Sequence, residues 1–174
     1  MAGDVRMITP EFVRGMARYN AWQNSGQLET ASGLGDAARR QERGAFFGSI
    51  HGTLSHLLWG DTIWMSRFDG WDAPGVGIPD SAAWAGSWED LVARRQDADR
   101  RIRAWADRVT ADDLEGDLAW HSGALGREVV KPRALCITHF FNHQTHHRGQ
   151  VHAMLTAAGA RPGDTDLFIM PDGA

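Results

Sequence analysis

The chain has a single cysteine, no excess of positive charge and no long apolar run, and each shortage excludes a class of protein. Cys136 alone cannot form an intrachain disulfide, and one cysteine fits a reducing compartment. The net charge of −4 argues against a nucleic-acid-binding protein that relies on a broad positive field. No apolar run approaches the roughly 20 residues of a membrane-spanning helix, and residues 1–12 lack the apolar segment of a signal peptide. We therefore expect a cytoplasmic protein with no membrane partner and no nucleic-acid partner.

What remains is the composition of an ordinary globular protein. Hydrophobic residues make up 43% of the 174 positions and charged residues 23%, and both values are typical of folded soluble chains. This length suits one domain with a substantial core, so we expect a single domain over residues 1–174. The eight tryptophans fit either aromatic packing between helices or the walls of a ligand cleft.

Helix start and stop signals divide the chain into four long helices. Thr9 and Pro10 are typical of an N-cap and a first helical position, and Ser87 opens a capping-box pattern. Apolar residues at helical spacing extend over most of the second predicted helix. The predicted helices cover residues 10–31, 45–68, 87–108 and 132–158. We therefore expect an all-α protein whose leading architecture is a four-helix bundle.

The segments between the predicted helices differ in character. Residues 36–43 are polar and charged and predict a link, and the glycine- and proline-rich residues 70–86 predict a long surface loop. Alternating apolar residues within 117–131 predict a short β-hairpin before the last long helix. The tail after Gly159 is predicted to be irregular.

The fourth predicted helix carries the strongest chemical signal. His143 and His147 are four residues apart, so on a helix they project from one face, one turn apart. Two imidazoles at this spacing can bind one divalent cation at about 2.0–2.1 Å. The alternative is a pair of polar histidines at the rim of the core. His139, rotated further out, is interpreted as a supporting or surface residue, and His146 points elsewhere.

A third ligand has to come from another helix, and the spacing leaves its identity open. His51 and His56 lie on the second predicted helix but differ by about 140° around its axis, so we expect only one of them at the metal. His51 lies nearer the large apolar face, whereas His56 shares its face with small residues that leave room for an ion. His121, in the predicted hairpin, is a weaker candidate.

Three stretches of the sequence resemble the DinB (damage-inducible) family, also called DinB/YfiT-like metalloproteins. They are NHQTHHRGQ at 142–150, FGSIHGTLSHLLWGDTIW at 47–64 and YNAWQN at 19–24, in the family's order. The resemblance implies a bundle with an up-down-down-up course and a divalent metal held by three histidines. Carried over residue by residue, the ligands are His56, His143 and His147. It also implies a homodimer.

Activities in families with such a site include thiol-dependent S-transfer and thiol-dependent cis–trans isomerisation. A metal with an open position can bind a low-molecular-weight thiol and deprotonate it for attack on a small-molecule electrophile. The same position can instead bind water for hydrolysis. Two further alternatives are a non-catalytic binding or stress-response module that the metal stabilises, and a protein without a metal. Three imidazoles suit zinc, nickel, copper or iron, so the native metal stays open.

Neighbours of the histidine pair have expected supporting roles. Gln150 or Asn142 is expected to hydrogen-bond a ligand histidine or the substrate. Arg148 is expected either to bind a substrate carboxylate or to form an ion pair within the bundle. Cys136 is interpreted as a buried, inert thiol.

Overall fold

The structure, a computed structural model, describes residues 7–173. The long helices are α1 (Pro10–Ser32), α3 (Ile50–Phe68), α4 (Trp88–Arg108) and α5 (Arg133–Ala157), and α2 (Asp36–Arg40) is short. A two-stranded sheet consists of β1 (Asp117–Ser122) and β2 (Arg127–Pro132). Short 3₁₀ helices cover Ile78–Ala83, Asp112–Leu114 and Leu167–Ile169. Residues 1–6 lie outside the described residues. They are half of the segment 1–12, whose sequence lacks the apolar stretch of a signal peptide.

The four long helices form the expected bundle. Each packs on two neighbours in the cyclic order α1, α4, α3, α5. One end of the core contains Leu28, Leu54, Leu91 and Leu155, one from each long helix. The other end contains Val13, Met65, Ile102 and Phe140. Because α1 and α5 run from the second cluster to the first while α3 and α4 run the opposite way, the predicted up-down-down-up course is confirmed.

Two of the predicted helix starts are confirmed by their caps. The Thr9 side chain accepts a hydrogen bond from the Phe12 backbone N–H at 3.3 Å. The Ser87 side chain accepts one from the Asp90 N–H at 3.1 Å. Each bond satisfies an N–H group that the first turn of a helix leaves without a partner.

The predicted start of the second long helix was wrong. Helix α3 begins at Ile50, five residues later than expected, with Ser49 as its N-cap. Gly48 has a φ of 75°, a left-handed conformation that interrupts a right-handed helix. Phe46 and Phe47, which the predicted range 45–68 includes in the helix, therefore lie in the preceding turn.

Two predicted irregular segments contain helical turns. The link over 36–43 includes α2, and the loop over 70–86 includes the 3₁₀ helix Ile78–Ala83. This 3₁₀ helix packs on α3, where the Ser55 hydroxyl donates to the Ser81 carbonyl at 2.7 Å. Pro132, expected at the first position of the last helix, is the final residue of β2 and caps α5.

The predicted hairpin is confirmed. Strands β1 and β2 are antiparallel, with Leu118 opposite Lys131 and Trp120 opposite Val129. Leu118 and Val129 are buried, and both strands contact α5. The hairpin therefore covers the N-terminal part of α5, next to the histidine-bearing turns.

A buried polar network joins all four long helices. Asp61 of α3 accepts hydrogen bonds from Arg95 of α4, at 2.5 Å, and from Gln144 of α5. Arg95 also pairs with Asp99 at 2.8 Å, and Asn24 of α1 donates to Asp99 at 2.8 Å. Since every carboxylate in this network has a partner, two negative side chains are accommodated inside the bundle.

The C-terminal segment is irregular, as expected, apart from its 3₁₀ turn. Side chains of α1 hold it by donating hydrogen bonds to its backbone carbonyls. These bonds run from Tyr19 to Thr165 (2.6 Å), from Gln23 to Asp164 (2.9 Å) and from Arg18 to Asp172 (2.6 Å).

Within residues 7–173, no helix has both the length and the apolar character needed to cross a bilayer. That residues 1–174 form one domain stays a prediction.

Candidate metal centre

The structure brings together the three histidines that the resemblance selects. His56 projects from α3, and His143 and His147 project from α5 across from it. One ring nitrogen of each lies within 4.8 Å of the others, an arrangement that could hold a metal ion. The Nε2 atoms of His56 and His143 are 3.3 Å apart. Tetrahedral ligands at about 2.0–2.1 Å from one ion have nitrogens about 3.3 Å apart, so this pair already has the required separation.

The Ser81 hydroxyl orients the His56 ring. This hydroxyl donates to the Ile78 carbonyl at 2.6 Å and lies 2.9 Å from Nδ1 of His56. Because its proton is used on Ile78, the oxygen accepts from a protonated Nδ1. The lone pair of His56 is then on Nε2, the atom that faces His143.

Gln150 has the same effect on His147. Its Oε1 lies 2.8 Å from Nδ1 of His147, and an amide oxygen can only accept a hydrogen bond. Nδ1 of His147 therefore carries the proton, which leaves Nε2 free for a metal. The supporting role expected of Gln150 agrees with this contact, whereas Asn142 is exposed.

Aromatic rings and a glycine shape the space around the group. Phe47 stacks on His56 with ring centroids 3.6 Å apart and planes 17° from parallel, and Trp59 lies against the same imidazole at 5.7 Å. A Cβ at Gly60 would lie 3.0 Å from Cε1 of His143. The absence of a side chain at Gly60 therefore lets the His143 ring approach α3.

Burial keeps these imidazoles neutral. It lowers the pKa of His56 to about 3 and, with further lowering from the nearby histidines, the pKa of His143 to about 3 as well. Burial also lowers the pKa of His147. At neutral pH His56 and His143 therefore carry no proton on the nitrogen that a metal needs. No carboxylate contributes to these pKa shifts.

The other candidate histidines lie elsewhere. His51 is buried on α3, with its ring tilted against Trp88 of α4 at 6.1 Å. His121 is exposed on β1, 3.0 Å from Glu128. His139 and His146 are exposed on α5, and the His139 ring lies 5.8 Å from the His143 ring. Of His51 and His56, between which spacing left the choice open, His56 lies in the group that could hold a metal ion and His51 does not.

Arg148 and Cys136 are both buried. Arg148 is buried over the Tyr19 ring and donates to Gln144 at 3.3 Å. Within residues 7–173 no carboxylate lies within 4.0 Å of it, so the structure does not show the ion pair considered above. Burial lowers the pKa of Arg148 to about 10, so it remains charged at neutral pH. Cys136 is buried as expected, and burial raises the pKa of its thiol.

Sequence patterns missed two residues at this centre. Ser81 lies in a segment interpreted as a surface loop, and Phe47 was assigned to a helix. No local sequence pattern identifies either residue, because both lie outside α3 and contact His56 only through the tertiary fold. The proximity of Ser81 follows from the docking of the 3₁₀ helix on Ser55.

The histidine group offers three donor nitrogens to a metal ion. No further His, Cys, Asp or Glu joins it anywhere in residues 7–173. Structural zinc sites have four protein ligands, whereas catalytic sites keep a position for water or substrate. The donor set therefore fits a divalent ion with one coordination position free of protein.

Fold and site together define a helical-bundle protein with a three-histidine group suited to a metal ion. The family model of the DinB family matches residues 7–174, nearly the whole chain. The chain belongs to the DinB family. A comparison with curated proteins gives no match.

Proposed function

We propose that this chain is a metal-dependent enzyme that activates a low-molecular-weight thiol for S-transfer or isomerisation. In this proposal His56, His143 and His147 bind a divalent ion, zinc, nickel or iron. The observation that carries it is the convergence of three uncharged imidazoles, with no fourth protein ligand among residues 7–173. An open coordination position is what a thiol substrate requires.

The residues around the centre support thiol chemistry over hydrolysis. A divalent ion held here would lower the pKa of a bound thiol from about 8.5 and so supply thiolate at neutral pH. Hydrolases such as those with an HExxH motif add a carboxylate as general base. Besides burial and the hydrogen bond between His147 and Gln150, only neighbouring histidines shift the pKa of these three side chains, and no carboxylate of residues 7–173 does so. A thiol, which is more acidic than water, has less need of such a base.

The protein's own contribution is orientation and exclusion of water. Ser81 and Gln150 fix the tautomers of His56 and His147, and Phe47 covers the His56 ring. In an S-transfer, the thiol sulfur bonds to the electrophilic carbon, the leaving group departs with the electrons of the broken bond, and the thiol proton passes to solvent.

Elemental analysis of protein purified without a histidine tag tests the metal site. We expect the parent protein and His146→Ala to contain a stoichiometric divalent ion, because His146 is exposed and outside the group. His143→Ala should lose most of it, since two imidazoles remain. Full occupancy in His143→Ala would contradict the ligand assignment.

Turnover of an electrophile tests the reaction. The metal-loaded protein is assayed with chlorodinitrobenzene and a panel of thiols, including cysteine, glutathione and coenzyme A. We expect chloride release above the spontaneous rate that depends on both the thiol and His143. Hydrolysis of esters, amides or lactones without any thiol would support the hydrolase instead. Absence of both activities in metal-loaded protein would favour a non-catalytic module.

The homodimer that the resemblance implies stays a prediction, which sedimentation velocity tests. The cytoplasmic location also stays a prediction.

A further inference from the structure

Arg67 lies on the same side of α3 as the histidine centre. His56, Gly60 and Arg67 are separated by four and seven residues, which places them on one helix face. The Arg67 guanidinium lies over the Trp64 ring at 4.6 Å and over the Trp120 ring at 5.3 Å. Arg67 therefore lies further along the side of α3 that bears His56, next to Trp120 of the hairpin.

The charge of Arg67 has no partner within the described part of the chain. No carboxylate lies within 4.0 Å of this half-buried guanidinium, and it donates no hydrogen bond to residues 7–173. Burial lowers the pKa of Arg67. A half-buried cation without a carboxylate partner favours an anion from outside the protein.

Aromatic rings lie between Arg67 and the three histidines. The Trp64 ring lies 5.2 Å from the His139 ring, which lies 5.8 Å from the His143 ring. Trp120 meets Trp64 edge to face at 5.5 Å. A molecule that follows this path has an imidazole and two indoles beside its middle part.

The helix geometry sets the length of that molecule. Arg67 is about 16 Å beyond His56 along the axis of α3. Helical side chains tilt toward the N-terminus, and the position of the guanidinium over Trp64 agrees with this tilt. Because the shorter His56 side chain leans the same way by a smaller amount, the charged end of Arg67 is between about 10 and 16 Å from it along the axis.

We propose that Arg67 binds the carboxylate of a molecule whose thiol or electrophilic group lies at the three histidines. The ligand class is an elongated carboxylic acid with an apolar or planar middle part. Arginine suits this role because its planar guanidinium can donate two parallel hydrogen bonds to a carboxylate. This inference rests on the proposed function, since it takes the histidine centre as the reacting end. Arg67 acts here as a specificity-determining residue.

The experiment compares two thiols of matched length on metal-loaded protein. Isothermal titration calorimetry measures the affinities of ω-mercapto-octanoate and ω-mercapto-octanol. We expect the parent to bind the acid about ten- to hundredfold more tightly than the alcohol, as a charge-assisted hydrogen bond provides. Arg67→Gln should lose this preference and bind the alcohol unchanged. Arg67→Lys, which keeps the charge, should retain part of it.

Arg101→Gln is the matched control. Arg101 also lies over a tryptophan, Trp71, at 3.6 Å, but it is on α4 and has Asp97 at 3.9 Å. It should keep the full preference for the acid. Metal content and thermal unfolding of each variant show whether the bundle is intact, and Arg67→Lys continues the test if Arg67→Gln does not fold.

The outcomes separate this inference from the proposed function. Equal affinities of the parent and Arg67→Gln for the acid would overturn the role of Arg67. If neither thiol binds, the proposed function fails, and octanoate and octanol are titrated instead. A preference of the parent for octanoate that Arg67→Gln lacks would then support the anion site. No such preference in the parent would overturn it.

Discussion

At the scale of single residues, one hydroxyl determines the tautomer and the orientation of the His56 ring. Ser81 uses its proton on the Ile78 carbonyl and accepts from Nδ1 of His56. Such contacts fix both the tautomer and the ring orientation of a ligand histidine. In the proposed site, a residue outside the ligand set would therefore control how well His56 binds an ion.

Ser81→Ala should weaken metal binding. We expect an affinity about ten- to hundredfold lower, because the His56 ring loses its acceptor and its preferred tautomer. Competition with a chelator of known affinity measures the change. Ser66→Ala is the control, since the Ser66 hydroxyl donates to the Ile63 carbonyl of the same helix and touches no histidine. An unchanged affinity in Ser81→Ala would mean that the hydroxyl does not orient His56.

The predictability of the site differs from residue to residue. The spacing of His143 and His147 suffices to place them on one helix face, because both belong to one regular element. The choice between His51 and His56 depends on how α3 is rotated in the bundle, which its packing against α4, α5 and the 3₁₀ helix Ile78–Ala83 decides. Ser81 reaches the site through a tertiary contact, for which the sequence contains no periodic signal.

At the scale of secondary-structure elements, the approach of α3 to α5 determines whether the histidines can meet. Gly60 faces the His143 ring, and a methyl group there would lie 3.0 Å from Cε1. That distance is shorter than an ordinary van der Waals contact between carbon atoms. The ring or the helix would have to move.

Gly60→Ala should separate metal binding from helix stability. Alanine favours a helix by about 1 kcal/mol over glycine, so α3 does not lose intrinsic helix propensity. We nevertheless expect reduced metal affinity, measured by chelator competition, because the His143 ring is displaced. Gly15→Ala in α1 is the control, since a methyl group there meets nothing within 4 Å. Equal metal affinity in both variants would show that the close approach at Gly60 is unimportant.

The elements themselves were more predictable than their boundaries. Side-chain caps at Thr9 and Ser87 mark helix starts that local chemistry alone determines. The start of α3 was misplaced because Phe46 and Phe47 continue the apolar pattern, although Gly48 interrupts the helix. Phe46 is 81% exposed, so its hydrophobicity carried no information about the core.

At the scale of the whole molecule, the network around Asp61 ties the helices together. Asp61 and Arg95 are almost completely buried, with exposed fractions of 1% and 2%. Burying one charge without its partner is strongly unfavourable, although the intact pair contributes little net stability. The network therefore makes the bundle sensitive to the loss of either group.

Asp61→Asn should destabilise the protein by about 3–5 kcal/mol, because Arg95 keeps its buried charge and loses one of its carboxylates. Urea unfolding measures the free energy of unfolding. Asp97→Asn serves as the comparison, since Asp97 pairs with exposed Arg100 and Arg101, and such a pair contributes about 0–1 kcal/mol. A loss in Asp61→Asn no larger than in Asp97→Asn would contradict the importance of the buried pair.

The stability of the metal-free protein should fall as the pH is lowered. The pKa values of His56 and His143 are about 3 in the folded protein, against about 6.5 in an unfolded chain. Between these values the unfolded chain binds protons that the folded protein excludes, so acidification favours unfolding. Urea unfolding of metal-free protein at pH values across this window should show the decline. A variant with both histidines changed to glutamine should lose less stability, and an identical decline would refute the assignment.

The attachment of the C-terminal segment has a consequence for sequence change. Tyr19, Gln23 and Arg18 all donate to peptide oxygens of residues 164–172. Every amino acid supplies the same peptide oxygen, so these bonds place no demand on the identity of the residues that accept them. Mutations can accumulate along this stretch without detaching it, whereas the three donors on α1 are constrained. The attachment therefore depends on side-chain identity in α1 and not in the C-terminal segment.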